Sequence, residues 1–279
     1  MRINIGFRIA LECPQPTVAT LMVDVHPSRA DDIVEQTPLI VTPSVPISRG
    51  FDPFSNVVHR LVLPAGVTTI EQDGVIEDDG KPDLVNLAAC QVPLAKLPAD
   101  AMAYLLGSRY CETDLLATEA WRLFGRVPEG WSRVQAICDF VHEHIEFGYQ
   151  HADCTRSAFR AYQERRGVCR DFAHLAITLC RATNIPARYC TGYLGDIGVP
   201  RDPAPMDFSA WFEVYLDGRW YAFDARHNRP RTGRVVIGRG RDATDVAIVN
   251  TFGPHRLAHF EVWTDELPAH ARRVGSAAA

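Results

Sequence analysis

Long apolar runs are missing from this 279-residue chain, and none approaches the roughly 20 residues that a membrane-spanning helix needs. An excess of basic residues is missing too. The chain has 29 lysines and arginines against 34 aspartates and glutamates, a formal charge of −5. That balance argues against nucleic acid as the main partner, because phosphate binding wants a basic surface. The eight cysteines, at 13, 90, 111, 138, 154, 169, 180 and 190, include no C-x-x-C pair. The opening MRINIGFRIALECPQP lacks a continuous apolar stretch and a small-residue cleavage site, so it reads as a strand rather than a secretion signal. Without such a signal, scattered cysteines are expected to be reduced core residues and the expected compartment is the cytoplasm. No internal repeat or low-complexity segment is present.

What is there is a soluble globular composition, 47% hydrophobic and 23% charged, in a chain long enough for one large domain or two ordinary ones. Up to about residue 100 the runs RINIGFRIAL, VATLMVDV, VVHRLVLP and VTTIEQDGVIE alternate apolar and polar residues between Pro, Gly, Asp and Ser turns. They predict a small antiparallel β domain of sandwich type over 1–110. A second unit is expected over 111–265 and a flexible tail over 266–279. In WSRVQAICDFVHEHI, the residues Trp131, Val134, Ile137, Val141 and Ile145 recur at helical spacing and mark one buried stripe. TRSAFRAYQERRG reads as a helix with Thr155 as N-cap and Gly167 as its stop. VCRDFAHLAITLCRATNIPA is apolar on most sides and predicts a buried helix ended by Asn184 and Pro186. Strands are expected near 187–194, 208–216 and 219–225.

Cys169 opens that buried helix. A thiol there faces unpaired backbone N–H groups and the positive end of the helix dipole, both of which favour the reactive thiolate, and Arg170 adds positive charge. The same N–H groups could stabilise an oxyanion during attack on a carbonyl. The competing reading is an inert core cysteine, which is the one given to most of the other seven.

The segment MDFSAWFEVYLDGRWYAFDA, 206–225, favours chemistry. Its Asp217-Gly218 pair predicts a two-residue hairpin turn in which paired residue numbers sum to 435. Alternation then puts Ala210, Phe212, Val214, Leu216, Tyr221, Phe223 and Ala225 on a core face. Ser209, Trp211, Glu213, Tyr215, Trp220, Ala222, Asp224 and Arg226 share the other face, a candidate site wall. Position 209 should be a diagonal neighbour of Asp224, at roughly 7–8 Å between backbones. A histidine at 209 could be oriented by Asp224 and face Cys169, completing a Cys-His-Asp relay. The residue at 209 is a serine.

GVCRDFAHLAITLCRATNIPARYCTGYL followed by DFSAWFEVYLDGRWYAFDARHN resembles the bacterial transglutaminase-like cysteine protease superfamily. The pattern is a G-[VH]-C-x-D-F-A-H-L nucleophile helix, an H-A-W-x-E-x-Y strand and a W-x-x-F-D strand, and the likeness is dense over 145–250. The resemblance implies an α+β fold, with a papain-like core whose nucleophile helix packs on an antiparallel sheet, preceded by the N-terminal β domain. It implies Cys169 as nucleophile and Asp224 as the acid that orients the base, while the family histidine falls on Ser209. A serine hydroxyl cannot accept a proton near neutral pH, and general-base help is worth about 10²–10⁴-fold.

Two further groups could replace the base. His227 lies three residues past Asp224, and Asp207 lies two residues before Ser209. His174, about 140° round the helix from Cys169, should point away and be a hydrogen-bonded core residue. His142, His144, His151, Asp153 and Cys154 crowd one stretch, but His142 and His144 at i and i+2 do not face each other, so a solvated helix end is expected and no metal. The acidic run EQDGVIEDDGKPD lacks calcium-loop spacing. Most of the arginines at 226, 229, 231, 234, 239 and 241 are expected on the surface, with Arg226 placed to attract an acidic substrate. Trp211 and Trp220 are expected to wall the site. Two functions of different class follow. One is a cysteine-dependent amide hydrolase acting on a peptide or protein through a thioester, with no cofactor. The other is a scaffold on the same fold that binds peptide or acyl ligands without turnover.

Overall fold

Alternating apolar residues make the first strand, β1 (Arg2–Cys13), which buries Ile3, Ile5, Phe7, Ile9 and Leu11. The structure, a computed structural model, describes residues 1–268. Two antiparallel sheets use the N-terminal segment. One has the order β15 (Arg256–Leu267), β1, β7 (Gly66–Glu77), β3 (Ile33–Gln36), with β4 (Ile40–Thr42) also on β7. The other runs β14 (Val249–Thr251), β2 (Thr17–Leu21), β6 (Val57–Leu63), β5 (Ile47–Phe51).

The expected boundaries at 110 and 265 do not separate these sheets from the rest. β15 pairs with β1 from Arg2↔Leu267 to Glu12↔Arg256, and β14 pairs with β2. Two C-terminal strands thus become outer strands of the N-terminal sheets. Of the tail expected from 266, Glu266 and Leu267 belong to β15, and 269–279 lie outside the described residues.

The short helix α1 (Ala99–Met102) leads into α2 (Thr113–Phe124), α3 (Trp131–His144), α4 (Ala158–Glu164) and α5 (Cys169–Ala182). α3 buries the expected stripe, Trp131, Val134, Ile137 and Val141, with Ile145 just beyond it. α4 is capped by Ser157, whose hydroxyl accepts the Arg160 N–H, and not by Thr155; it ends at Arg165 in the left-handed region. Gly167 belongs to the two-residue strand β9 (Arg166–Gly167), which pairs in parallel with β8 (Glu146–Phe147).

α5 is the central helix, buried continuously from Asp171 to Arg181. It packs against α2, α3 and α4 on one side and against β10 (Ala187–Tyr193) and β11 (Ser209–Leu216) on the other. These strands belong to a third antiparallel sheet, β12 (Arg219–Phe223), β11, β10, β13 (Val235–Gly240). The expected α+β class, with a helix carrying Cys169 laid on an antiparallel sheet, is the one observed. The β11–β12 register is the expected one, from Leu216↔Arg219 to Phe212↔Phe223. Asp217 and Gly218 both have positive φ, 50° and 82°, the conformation that a two-residue turn between twisted strands requires.

Candidate functional site

The site forms where several elements end together. Cys169 is the first residue of α5, Ser209 the first of β11, and β12 stops at Phe223, one residue before Asp224. The start of α5 is fixed by Asp171, whose Oδ2 accepts the Val168 N–H at 2.9 Å and faces Arg156 Nη1 at 3.3 Å. Gly167 makes that approach possible, for a Cβ there would lie 2.6 Å from both Cβ and Oδ2 of Asp171. Arg170 does not serve the thiol as expected. It donates to the Asp153 carbonyl and stacks over the Tyr110 ring at 5.5 Å.

Asp224 sits at the head of a tight turn. Its Oδ1 accepts the N–H groups of Arg226 and His227, each at 3.1 Å, and the Asn228 N–H closes on its carbonyl at 2.7 Å. Its Oδ2 accepts His227 Nδ1 at 2.8 Å and Arg234 Nη2 at 3.0 Å. Because the chain turns here, the pairs Ser209–Arg226 and Trp211–Asp224 expected from the hairpin do not form. α3 clamps the turn from outside. Asn228 Nδ2 donates to Asp139 at 2.8 Å, Gln135 donates to Asn228 at 3.0 Å, and His142 Nδ1 meets the Ala225 carbonyl at 3.1 Å.

Cys169, Asp207, Ser209, Arg226 and His227 line one cavity of about 60 Å³. Cys169, Asp207 and Ser209 also line a second, larger groove of about 840 Å³, in company with Tyr110, Tyr189 and Phe260. The thiol therefore lies between two openings. Asp224 does not line the small cavity itself; it is represented there by His227.

The electrostatics differ from the sequence expectation. Burial pushes the Cys169 thiol up to about 11, with Asp207 and Asp224 adding to the rise, while Arg226 and the Ala210 N–H oppose it. Burial thus outweighs the positive groups around this thiol. Burial also raises the Asp207 carboxyl, against the Phe208 N–H and Arg226. For Asp224 burial acts upward as well, but Arg234 and His227 outweigh it and hold the group well below the usual carboxylate range. Arg226 packs over the Phe147 ring at 3.9 Å and lines the small cavity beside the thiol.

Trp211 and Trp220 do not wall the site. Trp211 is buried with Cys190 and Val236 under the Arg234 guanidinium, 5.1 Å from its ring. Trp220 packs on Tyr104 and Tyr215 beneath Arg188. α5 lies against the face of Ala210 and Phe212, while Trp211 packs in a separate cluster on the other face. The arginines expected on the surface are partly interior: Arg231 and Arg234 are buried, and Arg234 bridges Asp224 and Asp83. His174 is the buried residue expected, stacked on Tyr110, with Nε2 accepting the Ala243 N–H at 3.1 Å and burial pushing its pKa down to about 3. His144 turns to the Tyr162 carbonyl at 2.7 Å, and no group of three potential metal ligands is found among the described residues. All eight cysteines are free. Among the described residues no helix is long and apolar enough to cross a membrane.

Residues 122–225 match the family model of the transglutaminase-like superfamily, a span that contains Cys169, Ser209 and Asp224. Among curated proteins, an uncharacterized protein of Mycobacterium leprae is 36% identical over 98 residues, 33% of this chain and 33% of that one. An uncharacterized protein of Mycobacterium tuberculosis is 37% identical over 91 residues, 29% of each chain. The match thus spans about a third of the length of these curated relatives. A crystal structure of a candidate cysteine protease from Cytophaga hutchinsonii aligns with a TM-score of 0.83 and 32% identity, covering 98% of this chain and 92% of that one. With nearly the whole of both chains superposed at that identity, the chain belongs to the transglutaminase-like superfamily.

Proposed function

We propose that this protein is a cysteine-dependent hydrolase of peptide or glutamine-type amides. Cys169 Sγ attacks the carbonyl carbon, the amine leaves, and water opens the resulting thioester. The observation that carries this reading is the position of Cys169. It is the first residue of a buried helix and the one cysteine lying between a small polar cavity and a groove large enough for a peptide segment. The Cytophaga protein, described as a candidate cysteine protease, supports the same chemistry. Hydrolysis is favoured over cross-linking by the resemblance to the protease-like branch. Eight unpaired cysteines fit a reducing compartment, and we place the protein in the cytoplasm.

A second reading has an observation of its own. The resemblance carries the family histidine onto Ser209, and burial pushes the thiol up to about 11, so the same groove would suit a scaffold that binds peptide or acyl ligands without turnover. The two are separated by incubating the protein with a fluorogenic peptide-amide library, beside Cys169→Ala. The hydrolase reading expects release of amine that the variant lacks, with a thioester on Cys169 trapped at low pH and seen by mass spectrometry. Binding without amine release by either protein favours the scaffold.

A further inference from the structure

We propose that His227, held on Asp224, is the general base that deprotonates Cys169 in this chain, in the role that Ser209 cannot fill. This rests on reading Cys169 as the nucleophile. Three observations converge on it. First, Asp224 is already committed to an imidazole: its Oδ2 meets His227 Nδ1 at 2.8 Å, while Arg234 at 3.0 Å keeps the carboxylate ionised and fixed. An acceptor-only carboxylate places the ring proton on Nδ1, and Nε2, on the far side of the ring, keeps its lone pair. Among the described residues no hydrogen bond engages Nε2. Secondly, His227 lines the same small cavity as Cys169 and Ser209. A serine at 209 occupies far less of that cavity than a histidine would. Thirdly, the turn that carries His227 is built rather than loose. The Asp224 carboxylate accepts its two backbone N–H groups, Asn228 takes the left-handed φ of 48°, and α3 holds Asn228 and Ala225 from behind. An imidazole held to this degree is preorganised for proton transfer.

The need for a base is shown by the thiol itself, which burial pushes up to about 11. Asp207 also lines the cavity, but imidazole is the side-chain base better matched to neutral pH. In the step, His227 Nε2 takes the proton from Cys169 Sγ. The freed pair on sulfur bonds to the carbonyl carbon and the carbonyl π pair moves to oxygen. Collapse of that adduct breaks the C–N bond, the imidazolium gives its proton to the leaving amine, and a thioester remains. Nε2 then accepts a proton from water as its oxygen attacks, and the expelled thiolate recovers that proton. The charged groups that share the cavity with His227 are Asp196, Asp202, Asp207, Arg226 and Arg231, with Tyr149 beside them. Arg234 acts from behind Asp224.

The test uses iodoacetamide alkylation of Cys169, read by mass spectrometry across pH, which needs no known substrate, together with hydrolysis of the fluorogenic peptide-amide library. His227→Gln retains a side chain able to hydrogen-bond Asp224 but cannot act as a base. It should lower amide hydrolysis about 10²–10⁴-fold and remove a near-neutral inflexion from the alkylation profile. Adding Ser209→His to His227→Gln should restore that inflexion. If Cys169→Ala abolishes hydrolysis while His227→Gln stays within about threefold of wild type, the nucleophile stands and the base assignment falls. Hydrolysis surviving in Cys169→Ala overturns both. A wild-type alkylation profile with one inflexion near the thiol's own raised value overturns the role of His227 irrespective of how any variant folds.

Discussion

Replacing Asp224 by asparagine removes one charge from a site only 6% exposed and keeps its shape. The carboxylate meets Arg234 at 3.0 Å and His227 at 2.8 Å. Unit charges 3 Å apart attract by about 5–6 kcal/mol at an effective dielectric near 20, and desolvation of the pair offsets much of that. What the variant exposes is the cost of leaving Arg234 buried with only Asp83 as counter-charge, about 3–5 kcal/mol for a broken buried pair. The new amide group must also face N–H donors on one side. Urea unfolding followed by tryptophan fluorescence should show that loss at neutral pH, equivalent to roughly 6–20 °C in Tm. The sign with pH is fixed by the depressed folded pKa. The carboxylate's stabilisation is full above the unfolded value near ~4 and is lost as pH falls below it. Wild type and variant should therefore differ at neutral pH and converge in strong acid, once the Asp224 carboxylate is protonated in the folded protein. A loss under about 1 kcal/mol at neutral pH, or a gap that persists in strong acid, refutes the claim that this ion pair holds the turn.

Two other changes probe the frame of the site. Gly167→Ala puts a methyl group 2.6 Å from the Asp171 carboxylate, so it should cost about 1–3 kcal/mol in a thermal melt and slow Cys169 alkylation as the start of α5 shifts. Asn228→Ala removes the bonds to Asp139 and Gln135 and strains a φ of 48°, and a loss of about 1–2 kcal/mol is expected. Asn228→Gly relieves the strain and should lose less, and the reverse order in urea unfolding would deny the strain.

The elements whose sequence signals are local were legible. The Asp217-Gly218 pair fixed the β11–β12 register because few residue pairs accept two left-handed conformations in succession. The stripe on α3 and the all-round apolarity of α5 likewise placed both helices. Alternation divided β11 into two faces correctly but could not say which one the helix carrying Cys169 would cover. Trp211 was therefore placed in a site wall when it is buried on the opposite side. The contact of His227 with Asp224 is muted in the sequence for a related reason. A turn that bonds to its own carboxylate has no periodicity, and its only trace is the i, i+3 spacing of Asp224 and His227 just past a strand end. Return of β15 to β1 was hidden because strand partners far apart in sequence leave no local mark.

That return has a consequence for how the chain is made. β1 lies between β7 and β15, and one of those neighbours is synthesised almost at once while the other is the last strand described. Emerging from a ribosome, β1 and β7 can pair early, but the other side of β1 stays unoccupied until residues 256–267 arrive. Until then β1 is itself a 12-residue outer strand, the kind of surface that recruits other chains, and afterwards β15 takes the outer place. Synthesis of residues 256–267, rather than completion of the site, is then the event that seats β1 inside its sheet.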